Sequence, residues 1–201
     1  MSKEINVLIL SAGRRVELVQ CFKNAAKRLK VSSKIVAADL SDTAPAIYFA
    51  DKYYLIPRIG SKDYVQKILD ICKKEKINLI VPTIDTELQI LSEKKKYIEE
   101  NTFAKVLISD KEVIKICRNK KNTQNFFEKN GFGVPKEYTE QEIKQGDICY
   151  PVFIKPLDGS SSINAFKVNN QKELEFFYEY IDNPIVQEYM EGDEYTIDVF
   201  L

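Results

Sequence analysis

The stretch Tyr150-Pro-Val-Phe-Ile-Lys-Pro-Leu-Asp-Gly-Ser-Ser-Ser162 combines a buried strand pattern with a loop of small polar residues. Lys155 ends the apolar run, and the loop consists of Gly159, Ser160, Ser161 and Ser162. An ammonium group, backbone N–H groups and hydroxyls are all donors suited to a polyphosphate. A β-hairpin with an exposed lysine fits the same residues, and the Gly-x4-Gly-Lys-Ser/Thr pattern of a P-loop is absent. Taken alone, the stretch leaves both interpretations open.

A second stretch, Pro184-Ile-Val-Gln-Glu-Tyr-Met-Glu-Gly-Asp-Glu194, runs from a strand pattern into acidic residues. Strand-like backbone can hold a flat heterocycle by main-chain hydrogen bonds, while a nearby carboxylate takes ribose hydroxyls. An ordinary hairpin is the competing interpretation. Together the two stretches suggest a nucleotide site.

The first half of the chain alternates strand and helix patterns. Residues 5–10 form a continuous apolar run, as expected for a strand buried on both faces, and helical spacing follows from Val16. Further strand patterns lie at residues 34–39, 53–56, 78–81 and 105–109. This alternation predicts an α/β fold with a doubly wound parallel sheet.

The pattern changes after Asp110. Two consecutive helices are predicted at residues 111–117 and 120–130, followed by a loop. The remainder indicates an α+β unit with strands at 152–155, 165–168, 185–189 and 195–200 and a helix at 173–180. We therefore predict two domains, residues 1–112 and 113–201.

Composition excludes several classes of function. The 201 residues include 30 basic and 30 acidic side chains, so a net charge of zero gives no reason to expect nucleic acid or a membrane surface as partner. The chain has no histidine, which excludes Ser–His and Cys–His nucleophiles and histidine metal ligands within it. No run approaches a membrane span. We expect a soluble, cytoplasmic protein.

The four cysteines, Cys21, Cys72, Cys117 and Cys149, form no Cys-x-x-Cys pair. Three of them fall on apolar faces of predicted helices. We therefore expect buried, reduced thiols.

Two N-terminal motifs are candidates for binding a ligand. Ser11-Ala-Gly-Arg-Arg15 places backbone donors and Arg14 at a helix N-terminus, which suits a substrate carboxylate or phosphate, although helix capping with surface salt bridges fits equally well. Pro82-Thr-Ile-Asp-Thr-Glu87 follows a predicted strand, where doubly wound sheets bind ligands. Thr83, Asp85 and Glu87 are candidates for binding an amine. A simple N-cap by Asp85 or Thr86 competes with that interpretation and is slightly favoured.

The order of the motifs resembles the ATP-grasp superfamily, and in particular single-copy proteins similar to the large subunit of carbamoyl-phosphate synthase. The similarity begins with Asn6-Val-Leu-Ile-Leu-Ser-Ala-Gly-Arg-Arg15 and continues through Arg118-Asn-Lys-Lys-Asn-Thr123 to the two stretches quoted above. It implies a Rossmann-like pre-ATP-grasp domain followed by the first part of an ATP-grasp domain.

The resemblance also implies roles by position. Lys120 and Lys155 stand where the family's two phosphate-contacting lysines do, and residues 159–162 match the loop that covers the phosphates. Glu194 matches the acid that binds the ribose. The segment that binds adenine is matched by Gln187, Glu188, Tyr189 and Met190.

The chain departs from the family pattern at three points. Asn119-Lys120 replaces the more frequent Asp-Lys, and Ser161 and Asn164 stand where glycine is common in the covering loop. Family members carry their magnesium ligands, typically Glu and Asn, beyond the equivalent of residue 201. The resemblance therefore implies ATP and magnesium as cofactors, with the metal ligands outside this chain. Because the metal neutralises transition-state charge, we expect a truncated piece or split-gene product without activity of its own.

The leading hypothesis is an ATP-dependent carboxylate–amine ligase that works through an acyl phosphate, with small-molecule carboxylate and amine substrates and a possible homodimer. The alternative is a non-catalytic nucleotide- or ligand-binding module that acts through a partner chain. An NAD-type oxidoreductase is disfavoured because the Gly-x-Gly-x-x-Gly fingerprint is absent.

Overall fold

The computed structural model describes residues 4–158 and 162–197 and divides the chain into two compact units, Met1–Lys115 and Ile116–Leu201. Each unit has its own sheet. The elements of the first unit are β1 (Asn6–Ile9), α1 (Val16–Leu29), β2 (Ile35–Asp39), α2 (Pro45–Phe49), β3 (Lys52–Leu55), α3 (Tyr64–Glu75), β4 (Ile77–Val81), α4 (Asp85–Asn101), β5 (Lys105–Val106) and α5 (Lys111–Arg118), which crosses the boundary. Those of the second are α6 (Lys120–Lys129), β6 (Glu137–Tyr138), α7 (Glu140–Gln145), β7 (Val152–Pro156), β8 (Phe166–Val168), α8 (Gln171–Tyr180) and β9 (Pro184–Glu188).

The first unit is built on a parallel five-stranded sheet in the order β3-β2-β1-β4-β5. Residues Val7, Leu8 and Ile9 of its central strand are all apolar because both faces of the strand are covered. Leu8 belongs to a core shared with α3 and α4, whereas Val7 and Ile9 belong to a second core shared with α1 and α2. This alternation follows from the two-residue period of a strand. The predicted α/β fold with a parallel sheet is confirmed.

The second unit contains an antiparallel sheet in the order β6-β9-β7-β8. Alternate residues such as Val152, Ile154 and Val186 point into one core, which Leu174 of α8 and the partly buried Ile143 of α7 complete. The residues between them in sequence, such as Phe153 and Lys155, therefore lie on the opposite face of the sheet. This face carries Lys155 and Gln187, two of the positions that the sequence assigns to nucleotide binding.

Some elements differ from those predicted. The sequence patterns did not indicate α2, β6 or α7. The strand predicted at residues 195–200 is wrong for its described part, since residues 189–197 have no regular structure. Strand β9 already pairs with β6 on one side and β7 on the other, so it has no free edge to bind a following segment.

The expectation of buried cysteines is correct only for Cys72, which lies in the core of the first unit. Burial raises the pKa of its thiol to about 12. Cys21, Cys117 and Cys149 are free and exposed, contrary to the prediction. In α1 the buried residue is Val19, and Cys21 stands two positions further on, which places it on the opposite side of a helix. A cysteine in an amphipathic helix is therefore buried only if it lies on the side of the helix that packs against the core.

Along residues 4–158 and 162–197, no helix has the length and apolar character that crossing a bilayer requires.

Candidate functional site

The first candidate site lies at the carboxyl ends of β1 and β4, which are neighbours in the sheet. The chain passes from β1 to β2 on one side and later returns to β4 on the other, so the strand order reverses here, as at ligand sites of open α/β sheets. The β1–α1 loop has positive φ angles of 45° at Ser11 and 49° at Gly13. Asp39, at the end of β2, accepts a 2.7 Å hydrogen bond from the Gly13 amide. The loop is therefore held in a defined shape.

Glu87 is buried beneath this loop and does not face a cleft. Its carboxylate accepts hydrogen bonds from the Ser11 hydroxyl at 2.5 Å and the Tyr64 hydroxyl at 2.7 Å. Burial raises the pKa of Glu87, although these hydrogen bonds and Arg15 oppose the shift. The expectation that Glu87 binds an amine is wrong, since its oxygens are occupied by groups of the fold itself.

Thr83 is also occupied by the fold. Its hydroxyl lies 2.9 Å from the Leu10 carbonyl oxygen and 2.7 Å from that of Ser11. Its own carbonyl accepts a 2.7 Å hydrogen bond from the Arg15 guanidinium. Thr83 therefore ties the ends of β1 and β4 together, and its hydroxyl donates within the protein.

Arg14 and Asp85 are the two predicted substrate residues that remain exposed at this edge. The adjacent arginine, Arg15, points inward, which the sequence could not distinguish. The α4 N-cap is Ile84, without a side-chain cap. The favoured expectation that Asp85 or Thr86 caps the helix is therefore wrong, because the helix begins at Asp85 itself.

The second candidate site lies at the end of β7 in the second unit. Lys120, the first residue of α6, donates hydrogen bonds to the carbonyl oxygens of Pro156 at 2.9 Å and Leu157 at 3.1 Å. The α6 helix itself begins at a cap, because the Asn119 side chain accepts from the Asn122 amide. These bonds place Lys120 against the segment that leads from β7 into the loop. The structure therefore brings Lys120 to the strand that carries Lys155, 35 residues further along the chain.

The two ammonium groups influence each other. The pKa of Lys155 is lowered, first by burial and then by the positive charge of Lys120. The pKa of Lys120 is lowered chiefly by burial, against the opposing effect of Asp158. Two cations that are partly desolvated and close enough to repel gain more from a bound anion than isolated surface lysines do. This arrangement suits a phosphate chain.

The loop after β7 lies partly outside the described residues. Gly159, Ser160 and Ser161 belong to that part. Ser162 and Asn164 have φ angles of 55° and 56°, in the left-handed region that favours glycine. The left-handed φ of Asn164 fits a position where the resembling family has glycine, and asparagine tolerates this conformation better than most residues.

The segment expected to bind adenine spans the end of β9. Gln187 is buried, and its side-chain amide donates to Gln124 of α6. The Glu188 amide donates to the Lys136 carbonyl oxygen at 2.9 Å. Tyr189 and Met190 lie beyond the last residue of the strand, with Tyr189 half-buried and Met190 exposed. The Gln187 side chain is thus used inside the protein, whereas the residues after the strand remain available at the surface.

Glu194 is exposed in the irregular segment that follows. Sequence reasoning missed Lys167 of β8, whose ammonium lies 4.0 Å from the centroid of the Tyr189 ring. Its position between Phe166 and Val168 was the available signal, because these two apolar residues face the core and the residue between them lies on the opposite face. Across residues 4–158 and 162–197 no cluster of three acidic or cysteine residues forms a metal site.

Comparison with known proteins matches both units. Residues 7–107 match the family described as the PylC-like N-terminal domain, and residues 117–201 match an ATP-grasp domain. The chain is 32% identical over 117 residues to the D-alanine–D-alanine ligase of Fusobacterium nucleatum, covering 58% of this chain and 36% of the relative. It is 26% identical over 181 residues to the 3-methyl-D-ornithine–L-lysine ligase of Methanosarcina barkeri, covering 90% and 45%. The chain spans less than half the length of these relatives.

Solved structures share the fold. The L-amino acid ligase from Bacillus licheniformis superposes with a TM-score of 0.68 at 15% identity, covering 96% of this chain and 46% of that one. The biotin carboxylase domain dimer of the Hydrogenobacter thermophilus 2-oxoglutarate carboxylase, in complex with MgADP, ADP and bicarbonate, superposes with a TM-score of 0.70 at 20% identity, covering 92% and 44%.

Proposed function

Since the chain belongs to the ATP-grasp superfamily and carries a PylC-like N-terminal domain, we propose that it binds ATP for a carboxylate–amine ligation. The two relatives described above are named as ligases, and each name gives two amino acids as the substrates that are joined. The observation that carries the proposal is the pair of partly desolvated lysines, Lys120 and Lys155, at the end of β7. The narrower likeness to carbamoyl-phosphate synthase stays a prediction, because the matched relatives are other ATP-grasp ligases.

In the proposed reaction the γ-phosphoryl group passes from ATP to a carboxylate oxygen, which releases ADP and leaves an acyl phosphate. An amine then attacks the acyl carbon, and inorganic phosphate departs to give an amide. Neither step needs histidine, which this chain lacks, because positioning and cationic groups supply most of the catalysis of phosphoryl transfer. Lys120 and Lys155 would bind the phosphate oxygens and stabilise the charge on them.

Magnesium, when bound, would neutralise part of the negative charge of the phosphates. The described residues fit a nucleotide better than they fit the metal, since they supply two cations but no cluster of metal ligands. We therefore assign no magnesium ligand to residues 4–158 and 162–197.

For the nucleobase we propose the backbone of Tyr189 and Met190, which follow strand β9, with Glu188 beside them. Glu194 is the proposed ribose ligand, and residues 159–162 are proposed to cover the phosphates.

For the acceptor we propose Arg14 as the residue that binds a carboxylate or phosphate group, with Asp85 at the adjacent strand end for an amine. A cytoplasmic location and a homodimer remain predictions.

The test is an assay with ATP, magnesium and paired amino acids on a polypeptide that carries these 201 residues together with the magnesium ligands, since the 201 residues are not expected to turn over by themselves. We expect ADP release that requires a carboxylate substrate, and hydroxylamine should trap the acyl phosphate as a hydroxamate. Release of ADP without any carboxylate dependence, or no nucleotide binding at all, would contradict the proposal. Tight nucleotide binding without turnover for every substrate pair would favour the alternative, a binding module that acts through a partner chain.

Arg14→Met should raise the KM for the acceptor while the Kd for ATP stays unchanged, because we assign Arg14 to the acceptor and not to the nucleotide. Arg28→Met, an exposed residue of α1, serves as the charge-matched control. An equal effect of both substitutions would remove Arg14 from the proposed acceptor site.

A further inference from the structure

The face of the antiparallel sheet that lies opposite its apolar core carries a contact that none of the assigned roles uses. Lys167 of β8 pairs with Phe153 of β7, and Phe153 pairs in turn with Gln187 of β9. These three residues therefore form one row across the sheet. Tyr189 follows Gln187 by two positions, so the strand period points it toward the same face. The Lys167 ammonium reaches across this row to lie 4.0 Å from the centroid of the Tyr189 ring.

At this distance the ammonium is within the range of a cation–π contact. Lys167 is exposed, whereas the ring is half-buried. Among the described residues no carboxylate forms a salt bridge with Lys167, and its ammonium contacts the Tyr189 ring. The position matters because Tyr189 stands just past the last hydrogen-bonded residue of β9, where the ladder no longer orders the backbone.

We propose that Lys167 is a positioning residue for the nucleobase: it holds the Tyr189 ring against the sheet and thereby orders the backbone of Tyr189 and Met190 for the purine edge. This inference rests on the proposed function, since it requires that an adenine nucleotide binds at the end of β9. Lys155, on the same face, would bind the phosphates, whereas Lys167 would affect binding of the base. The two lysines therefore differ in the part of the nucleotide that each one affects.

The difference can be measured with a series of ligands. Calorimetric titration of the full chain with AMP, ADP and the non-hydrolysable ATP analogue AMP-PNP gives one Kd per ligand. We expect Lys167→Met to raise the Kd of all three ligands by the same factor, about two- to fivefold, as for loss of a partly exposed cation–π contact. Lys167→Arg should restore the wild-type Kd, because a guanidinium keeps the contact. Lys172→Met, an exposed residue of α8, controls for the change in net charge.

A double-mutant cycle tests whether Lys167 acts through the ring. Tyr189→Leu should weaken binding by a similar factor, and adding Lys167→Met to it should cause no further loss. Tyr189→Phe should bind as the wild type does, since the ring is kept. Because Lys167 is exposed, its substitution should leave the thermal unfolding midpoint unchanged.

The outcomes separate the two levels of the proposal. If the wild type binds none of the nucleotides, the proposed function fails. If the wild type binds and Lys167→Met has the same Kd values, the positioning role is overturned while nucleotide binding stands. A loss that grows from AMP to AMP-PNP would also overturn it, because that pattern places Lys167 on the phosphates. Equal losses, with rescue by arginine, support the role.

Discussion

At the scale of single residues, the pair Lys120 and Lys155 decides what the second unit can bind. Each side chain is partly buried, and the pKa of each is lowered chiefly by that burial. The pKa of Lys155 is lowered further by the positive charge of Lys120, so the two ammonium groups are close enough to repel each other. A bound phosphate chain relieves this repulsion.

The lowered pKa of Lys155 predicts a pH dependence of nucleotide binding. Below the pKa both ammonium groups are charged, and affinity is at its full value. As the pH rises through a pKa that lies below the ordinary 10.5, Lys155 loses its proton and the Kd for ADP should increase. Calorimetry from pH 7 to pH 10 measures this change. Lys155→Arg should bind with a flatter profile, since a guanidinium stays charged; identical profiles would show that Lys155 does not contribute.

Glu87 is a second residue whose surroundings decide its role. Its carboxylate is fully buried and accepts from Ser11 and Tyr64. Glu87→Ala removes both acceptors and leaves two hydroxyls unpaired, so we expect the free energy of unfolding to fall by about 2–4 kcal/mol. Glu87→Gln, which keeps one acceptor oxygen, should cost less.

Urea unfolding followed by circular dichroism measures both Glu87 variants. Glu93→Ala, an exposed residue of the same helix, should stay within about 0.5 kcal/mol of the wild type. A Glu87→Ala protein as stable as the Glu93→Ala control would mean that the hydrogen-bonded network does not stabilise the loop.

At the scale of elements, Glu75 connects the end of α3 to the strands beside it. It forms salt bridges with Lys34 at 2.9 Å and Lys52 at 2.6 Å, and it accepts from the Tyr54 hydroxyl. Burial raises the pKa of Glu75, but the hydrogen bonds from Lys52, Tyr54 and Lys34 outweigh burial and lower the pKa to about 2. A carboxyl with a lowered pKa stabilises the fold above its unfolded value and loses that contribution as the pH falls.

Glu75→Gln should therefore destabilise the protein most near neutral pH. The contribution is fully present above the ordinary value of 4.5 and is lost as the pH falls toward about 2. The lysine side chains are 42% and 45% exposed, so solvent screening limits the effect to about 2 kcal/mol. Urea unfolding at pH 7 and pH 3 should show a smaller difference from the wild type at pH 3. Glu100→Gln, in a pair where Glu100 is 61% exposed, is the control, and a pH-independent difference would refute the assignment.

The C-terminus of α7 depends on a glycine. Gly146 has a φ of 72°, and its amide caps the helix by donating to the carbonyl oxygens of Glu142 and Ile143. Gly146→Ala should lower the free energy of unfolding by about 1 kcal/mol, because a Cβ is strained at this φ although no atom lies within 4 Å of it. Gly60→Ala is the matched control, since its surroundings are equally open and its φ is ordinary. Equal melting temperatures for the two variants would contradict the role of backbone strain.

At the scale of the whole molecule, periodicity was enough to predict the parallel sheet. A strand buried on both faces is apolar without interruption, as Val7 and Leu8 are, and the pattern is visible without any partner. Short elements were missed for the opposite reason. The two-residue strand β6 exists because it pairs with β9, and the partner is about fifty residues away in sequence. A strand at residues 195–200 was predicted because apolar and polar residues alternate there. A strand also needs a neighbouring strand with an unpaired edge, and the sequence pattern does not show whether one is available.

The sequence predicted which residues belong to the candidate site better than it predicted their contacts and orientation. Lys120 and Lys155 could be selected from the order of motifs, but the bonds from Lys120 to β7 depend on tertiary contacts. The orientation of a polar side chain at a strand end is also invisible in the sequence. Glu87 turns into the core and Arg14 turns outward, although both stood in motifs that suggested binding. Direction is set by which neighbours offer hydrogen bonds.

The central claim is that the second unit binds ATP through Lys155, and calorimetric titration with AMP-PNP in magnesium-containing buffer tests it most directly. We expect one nucleotide bound per wild-type chain, a Kd about 10- to 100-fold weaker for Lys155→Met because one charge-assisted contact is lost, and no change for Lys144→Met. Lys144 is the control because its side chain is 76% exposed on α7. No binding by the wild type, or equal Kd values for the wild type and Lys155→Met, would contradict the claim.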